Sequence, residues 1–107
     1  MAREFAPVLA SAEPLKTRHH IRGALAPRAV LVVIDSTADG VFLYRYASDG
    51  AFAGDTWHPN VEDARGQATY EFDGALGPWR VVPDSAPDPV AYALDSVVAV
   101  RRQPDAG

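Results

Sequence analysis

Two Asp-Gly dipeptides, Asp39-Gly40 and Asp49-Gly50, punctuate the run AVLVVIDSTADGVFLYRYASDGAFAGDTW. No other feature of the chain constrains its fold as much. Asp followed by Gly between apolar segments signals a tight hairpin, because the primed turns that match strand twist need positive φ. Two such signals in close succession predict a three-stranded antiparallel meander with strands at 29–34, 41–47 and 51–57. The first strand, AVLVVI, is continuously apolar rather than alternating, which suits a strand buried on both faces. It therefore wants a neighbour on each side, and an isolated meander would be marginal without something packed upon it.

If Asp49-Gly50 forms a two-residue loop, the cross-strand pairs follow by counting. Ala47 faces Phe52, Arg45 faces Gly54 and Leu43 faces Thr56 on one side. Tyr46 faces Ala53, Tyr44 faces Asp55 and Phe42 faces Trp57 on the other. One face is then aliphatic and small, and the other carries a row of aromatic rings with one carboxylate among them.

After Trp57 the periodicity changes. Asn60 is a good N-cap, Asp63 can return a weaker reciprocal cap, and Glu62 and Asp63 suit the positive end of a helix. Val61, Ala64, Ala68 and Phe72 form one stripe, with Glu62, Arg65 and Glu71 directed elsewhere, so a helix is expected over 60–73 and closed by Gly74. Gly66 weakens it. A short strand is expected at Trp79–Val82, reached by a crossover and parallel to the first strand, giving the order 4-1-2-3. Asp88 with Pro89 reads as a helix start. The segment VAYALDSVVAVRR is read as a second helix, with a short helix followed by a strand SVVAV as the alternative.

The sequence before the meander carries Pro7, Pro14 and Pro27. Residues 1–12 are read as a flexible arm and Pro14 to Arg22 as a short helix, with 13–102 as a single α+β domain and 103–107 as a tail. A chain of 107 residues, 48% hydrophobic and 22% charged, holds one packed domain. The net charge of −4 argues against nucleic-acid binding driven by bulk charge. With no cysteine, disulfides, thiolate metal sites and cysteine nucleophiles are excluded, and a cytoplasmic setting is expected. No apolar run reaches membrane-spanning length, and the opening MAREFAPVLASA is too short in its apolar part, and too acidic at Glu4, for a secretory leader.

Candidate chemistry is sparse. His58 next to Trp57 can serve as an acid or base oriented by Asp55 only if the chain bends before Pro59. Otherwise Trp57 covers the joint between sheet and helix while His58 bonds to the backbone near the helix start. His19 and His20 diverge on a helix and do not chelate one ion, so neither a metal nor a cofactor is expected. Lys16, Arg18, Arg22 and Arg28 form a basic stretch that either holds an anion such as a phosphate or is a solvated face. The row Phe42, Tyr44, Tyr46 and Trp57, with Asp55, either binds a ligand or partner or is covered by a terminal helix. No phosphate loop, nucleophile elbow or paired-carboxylate signature appears.

The run FLYRYASDGAFAGDTWHPNVEDARGQATYEF resembles a group of small bacterial proteins of unknown function, in which a GDTWH segment leads into an acidic helix start. The resemblance covers about a third of the chain. It implies a compact sheet-plus-helix domain and brings no activity, cofactor or catalytic residue.

The expected fold is thus α+β: a three- or four-stranded, mainly antiparallel sheet with one helix across it and a possible second near the C-terminus. The leading expectation for function is a non-catalytic module binding a protein or small molecule through the aromatic face, as an adaptor or toxin-neutralising partner would. One alternative is a small enzyme with a pocket at Asp55, Trp57, His58 and Tyr44. The other is a binder of a phosphate-bearing ligand through the Arg18–Arg28 stretch.

Overall fold

The computed structural model describes residues 3–8, 20–21, 24–25, 29–72 and 75–102. In chain order the elements are β1 (Arg3–Pro7), β2 (His20–Ile21), β3 (Ala24–Leu25), β4 (Leu31–Thr37), β5 (Gly40–Tyr46), β6 (Phe52–His58), α1 (Val61–Phe72), β7 (Arg80–Val81) and α2 (Pro89–Arg102). The expected meander is β4, β5 and β6. It belongs to a five-stranded antiparallel sheet of order β6-β5-β4-β1-β7, while β2 and β3 pair separately and β2 lies beside β6. The fold is α+β as the sequence suggests, and the strand after the crossover does run parallel to β4. The expected order, however, lacks one strand.

That strand is β1, which the sequence reading assigned to a flexible arm. Glu4 pairs with Ile34, Phe5 with Val33 and Ala6 with Val32, so β1 is the second neighbour that the doubly buried strand required. Pro7 concealed it, since proline inside a sheet removes a ladder donor. Here the loss is harmless. Val8 N donates to Val30 O, which places the even-numbered N–H groups of β1 towards β4. The N–H that Pro7 lacks would face the β7 side, where only its carbonyl is used, accepting from Gly77 N at 2.8 Å. The expected helix over Pro14 to Arg22 is also corrected at its end, because His20 and Ile21 are strand paired with Leu25 and Ala24. The rest of that segment lies outside the described residues.

Each face of the sheet carries a helix. On one, Ala64, Ala68 and Phe72 of α1 pack with Ala6, Val32, Ile34, Val41 and Leu43. On the other, Ala93 and Val97 of α2 pack with Phe5, Leu31 and Val33, and Tyr92 meets the ring of Phe5 edge-on at 6.1 Å. Leu31 to Ile34 are therefore buried in succession. The helical reading of VAYALDSVVAVRR holds throughout, started by Asp88, whose Oδ1 accepts from Ala91 N at 3.1 Å. The expected strand at Trp79–Val82 is trimmed to Arg80–Val81.

The α1 stripe falls as expected, with two small alanines at its centre, and a buried methyl contributes only about 0.8 kcal/mol. Other contacts fix the helix. Asn60 Oδ1 caps Asp63 N at 2.7 Å. Arg65 forks onto Glu4 of β1 at 2.8 and 2.6 Å and lies 5.7 Å from the ring centre of Trp79.

Two departures from the counted register cancel. The second hairpin closes through three residues, Ser48 to Gly50, with Gly50 N donating to Ala47 O and Ala47 N donating to Ala51 O. Gly50 takes φ of 85°, the left-handed residue that such a loop needs. A bulge at Ala53–Gly54 opposite Arg45 then restores the count, with Gly54 at φ of 113°. The expected pairs Leu43–Thr56, Tyr44–Asp55 and Phe42–Trp57 are formed. Nearer the turn Phe52 pairs with Tyr46 and not with Ala47, which moves its ring to the aromatic face.

Candidate functional site

The face of β5 and β6 away from α1 carries the aromatic row. Phe42 and Tyr44 stack at 5.9 Å between ring centres, Tyr44 and Tyr46 lie tilted at 6.4 Å, and Tyr46 meets Phe52 edge-on at 6.4 Å. Trp57 pairs with Phe42 across the strands and is 56% exposed. Its indole N–H donates to Asp39 O at 3.0 Å, so the ring roofs the β4–β5 turn and not the sheet–helix joint. Gly40 is required beneath it: φ is 133°, and a Cβ there would meet Trp57 Nε1 at 2.1 Å.

Helix α2 covers this face over β1 and β4 and reaches the β5–β6 turn with Leu94, beside Gly50, while Tyr44 and Tyr46 pack along the edge of its cluster. Between its first turn and β5 lies a recess of about 380 Å³, lined by Arg3, Val33, Asp35, Tyr44, Tyr46, Pro89 and Val90. Paired residues of antiparallel strands share a face, so the pairings Arg3–Asp35, Asp35–Phe42 and Val33–Tyr44 carry Arg3, Asp35 and Val33 into the aromatic row. Asp35 is 17% exposed; its Oδ2 lies 3.5 Å from Arg3 Nε, and its buried Oδ1 accepts no hydrogen bond among the described residues. The Tyr44 phenol is pushed above its usual pKa, first by burial, then by the charges of Asp35 and Asp55, with Arg3 opposing. Tyr46 shifts the same way, again by burial first, then by Tyr44, Asp35, Asp55 and Asp88. Both phenols are neutral hydroxyls at physiological pH.

The six residues singled out from the sequence do not meet. Phe42, Tyr44, Tyr46, Asp55 and Trp57 share one face. His58 is buried on the other, paired in register with Val41 beneath α1. Its Nε2 lies 2.6 Å from Thr56 Oγ1, and its Nδ1 lies 2.6 Å from Asp63 Oδ1. Strand alternation separates His58 from Asp55, so the pocket imagined around Asp55, Trp57, His58 and Tyr44 is not formed. Asp63, expected to return a cap, is the histidine's partner. Lys16, Arg18, Arg22 and Arg28 lie outside the described residues.

His58 belongs to a polar relay under α1 that the sequence reading missed. Glu71, expected to point away from the apolar stripe, is buried, and its carboxylate receives the guanidinium of Arg45 through both oxygens, Nε to Oε1 at 2.7 Å and Nη2 to Oε2. Arg45 also donates to Leu43 O at 3.1 Å and to Thr56 Oγ1 at 3.3 Å, and Gln67 donates to Glu71 Oε2 at 2.6 Å. The clue was available: Arg45 alternates with Tyr44 and Tyr46, sits on the helix-covered face, and so must find an acid there.

Arg3, Asp35, Val33, Pro89 and Val90 were also missed as site residues. Asp35 was within reach of counting, since the β4–β5 pairing places it opposite Phe42. Arg3 was not, because its position depends on β1. Among the described residues, no three His, Asp or Glu side chains converge to hold a metal ion, and no helix is long and apolar enough to cross a membrane. No protein-family model, curated protein or solved structure matches the chain.

Proposed function

We propose that this protein is a non-catalytic binding module that receives a ligand or a partner's side chain on the aromatic face of β5 and β6, with the recess beside α2 as its deepest point. The observation that carries this reading is the incomplete cover of that face. Helix α2 covers Phe5 and Leu31, yet Trp57 and Phe52 remain 56% and 43% exposed and a recess stays open between Tyr44, Tyr46 and the first turn of the helix. Large aromatic rings left side by side at a surface, next to a few polar groups, are the usual make-up of a binding surface.

The enzyme alternative loses its basis because His58 and Asp55 are on opposite faces. Among the described residues the aromatic face offers neutral hydroxyls and carboxylates, groups that support recognition.

The test is a fragment screen followed by amide chemical shifts of the labelled protein. Hits are expected to perturb Phe42, Tyr44, Tyr46, Asp55 and Trp57 together, and Phe42→Ala and Tyr44→Ala are expected to abolish them while the spectrum stays dispersed. Hits confined to the α1 face, or unfolding of both variants, would refute the reading.

A further inference from the structure

We infer that the recess between β5 and α2 selects an organic cation: a primary ammonium on a short aliphatic stem, whether a free amine or a lysine side chain. This inference rests on the binding reading above and adds the chemistry of what is bound.

One carboxylate of the recess is under-paired. Asp35 lies in the recess wall with Oδ1 buried and accepting no hydrogen bond among the described residues. Buried carboxylate oxygens are normally satisfied, and the cation beside this one among the described residues, Arg3 Nε, is at 3.5 Å from the other oxygen. Oδ1 itself is closed to the recess, so an ammonium there meets the exposed part of the Asp35 side chain, whose charge Arg3 counters only at 3.5 Å.

Negative charge also surrounds the site. Among the described residues, the carboxylates of Asp35, Asp55 and Asp88 bear on the phenols of the row, against the guanidinium of Arg3. Helix α2 points its first turn at the recess, an end that elsewhere attracts anions. Here Pro89 has no N–H to give, Ala91 N is bound to Asp88 Oδ1 and Tyr92 N to Asp88 O, and the Asp88 carboxylate offsets the dipole. The remaining walls are the rings of Tyr44 and Tyr46 and the aliphatic surfaces of Val33, Pro89 and Val90. Such walls suit a methylene stem and an ammonium lying on a ring face.

The experiment titrates the labelled protein with four probes: n-butylammonium, blocked lysine (Nα-acetyl-lysine methylamide), n-butanol and butyrate. Binding is read from the amides of Val33, Tyr44, Tyr46 and Val90. Both cations are expected to bind at least about tenfold more tightly than butanol, and butyrate more weakly still. A preference for blocked lysine over butylammonium assigns the site to a polypeptide side chain, and equal affinity assigns it to a free amine. Asp35→Asn is expected to remove the preference for the cation. Arg3→Gln, which takes away the competing charge, is expected to tighten cation binding by about threefold or more, and it carries the test if the Asp35 variant does not fold. Butanol binding as well as butylammonium would leave the recess a ligand site but overturn the assignment of charge. Weaker cation binding by Arg3→Gln, or silence of the recess towards all four probes, would also overturn it. In that case the screen on Phe42 and Trp57 still judges the wider face separately.

Discussion

Replacing Glu71 with glutamine tests how much of this fold hangs on the buried ion pair. Arg45 and Glu71 have side-chain exposures of 1% and 2% and share two hydrogen bonds. Glutamine preserves the shape and one acceptor but removes the counter-charge. It leaves the buried guanidinium with that one acceptor, Leu43 O and Thr56 Oγ1, and without the carboxylate's charge. Breaking one side of a buried pair costs about 3–5 kcal/mol. Domains of this size have total stabilities of about 5–15 kcal/mol, so about a fifth or more of the stability is at stake. At about 4 °C per kcal/mol, the melting temperature is expected to fall by about 12–20 °C. The double replacement Arg45→Met with Glu71→Leu removes both charges and keeps the volume. It is expected to lie within about 1 kcal/mol of the wild type, because the desolvation of two ions disappears along with their attraction. Urea unfolding followed by the fluorescence of the two tryptophans, Trp57 and Trp79, measures all three proteins. A loss below about 1 kcal/mol for Glu71→Gln would show that the pair is effectively solvent-screened and refute the reasoning. A double variant as unstable as the single one would show that the cost comes from packing and not from the unpaired charge.

Gly66→Ala is expected to stabilise by about 0.8–1 kcal/mol, since a Cβ there meets nothing within 4 Å and the helix gains propensity; calorimetry reads it as a small rise in melting temperature. Gly40→Ala is expected to cost about 1–3 kcal/mol through backbone strain and displacement of the Trp57 indole, seen as a lower urea midpoint together with a changed tryptophan emission. The raised pKa values of Tyr44 and Tyr46 fix the sign of an alkaline effect. The folded state holds the phenolic proton more tightly than the unfolded chain, so this stability is fully present below pH about 10 and lost as pH rises through the folded values. Urea midpoints at about pH 8 and about pH 11 should therefore fall further for the wild type than for Tyr44→Phe with Tyr46→Phe.

Local signals were legible where the chemistry of a position is self-contained. The Asn60 and Asp88 caps and the α1 stripe each depend on neighbours a few residues away, and each lies where the sequence puts it; both Asp-Gly dipeptides mark hairpins, but the first loop is Ala38–Asp39 with Gly40 already in β5, and the second takes three residues. The doubly apolar AVLVVI run even announced a missing partner strand. What supplied it, Arg3 to Pro7, carries a proline whose harmlessness depends on which side of the strand its absent N–H faces, and that is a property of the finished sheet. Non-local pairing hid half of the site for the same reason. Tyr44 and Tyr46 were evident from alternation within one strand, whereas Arg3 and Val90 reach the recess from opposite ends of the chain. Glu71 was misdirected because helical spacing placed it off the apolar stripe, and only the buried Arg45 explains why a carboxylate faces inward.

The extra residue at Ala53–Gly54 reverses the phase of β6 partway along its length. Before it, Phe52 looks towards α2's side of the sheet and Ala53 towards α1; after it, Asp55 and Trp57 look towards α2's side and Thr56 and His58 towards α1. Even-numbered positions are thus outward at one end of the strand and inward at the other. A complete map of substitution tolerance across β6 would show its two-residue rhythm break at Gly54 and resume out of step, and a single period fitted to the whole strand would misassign one end of it.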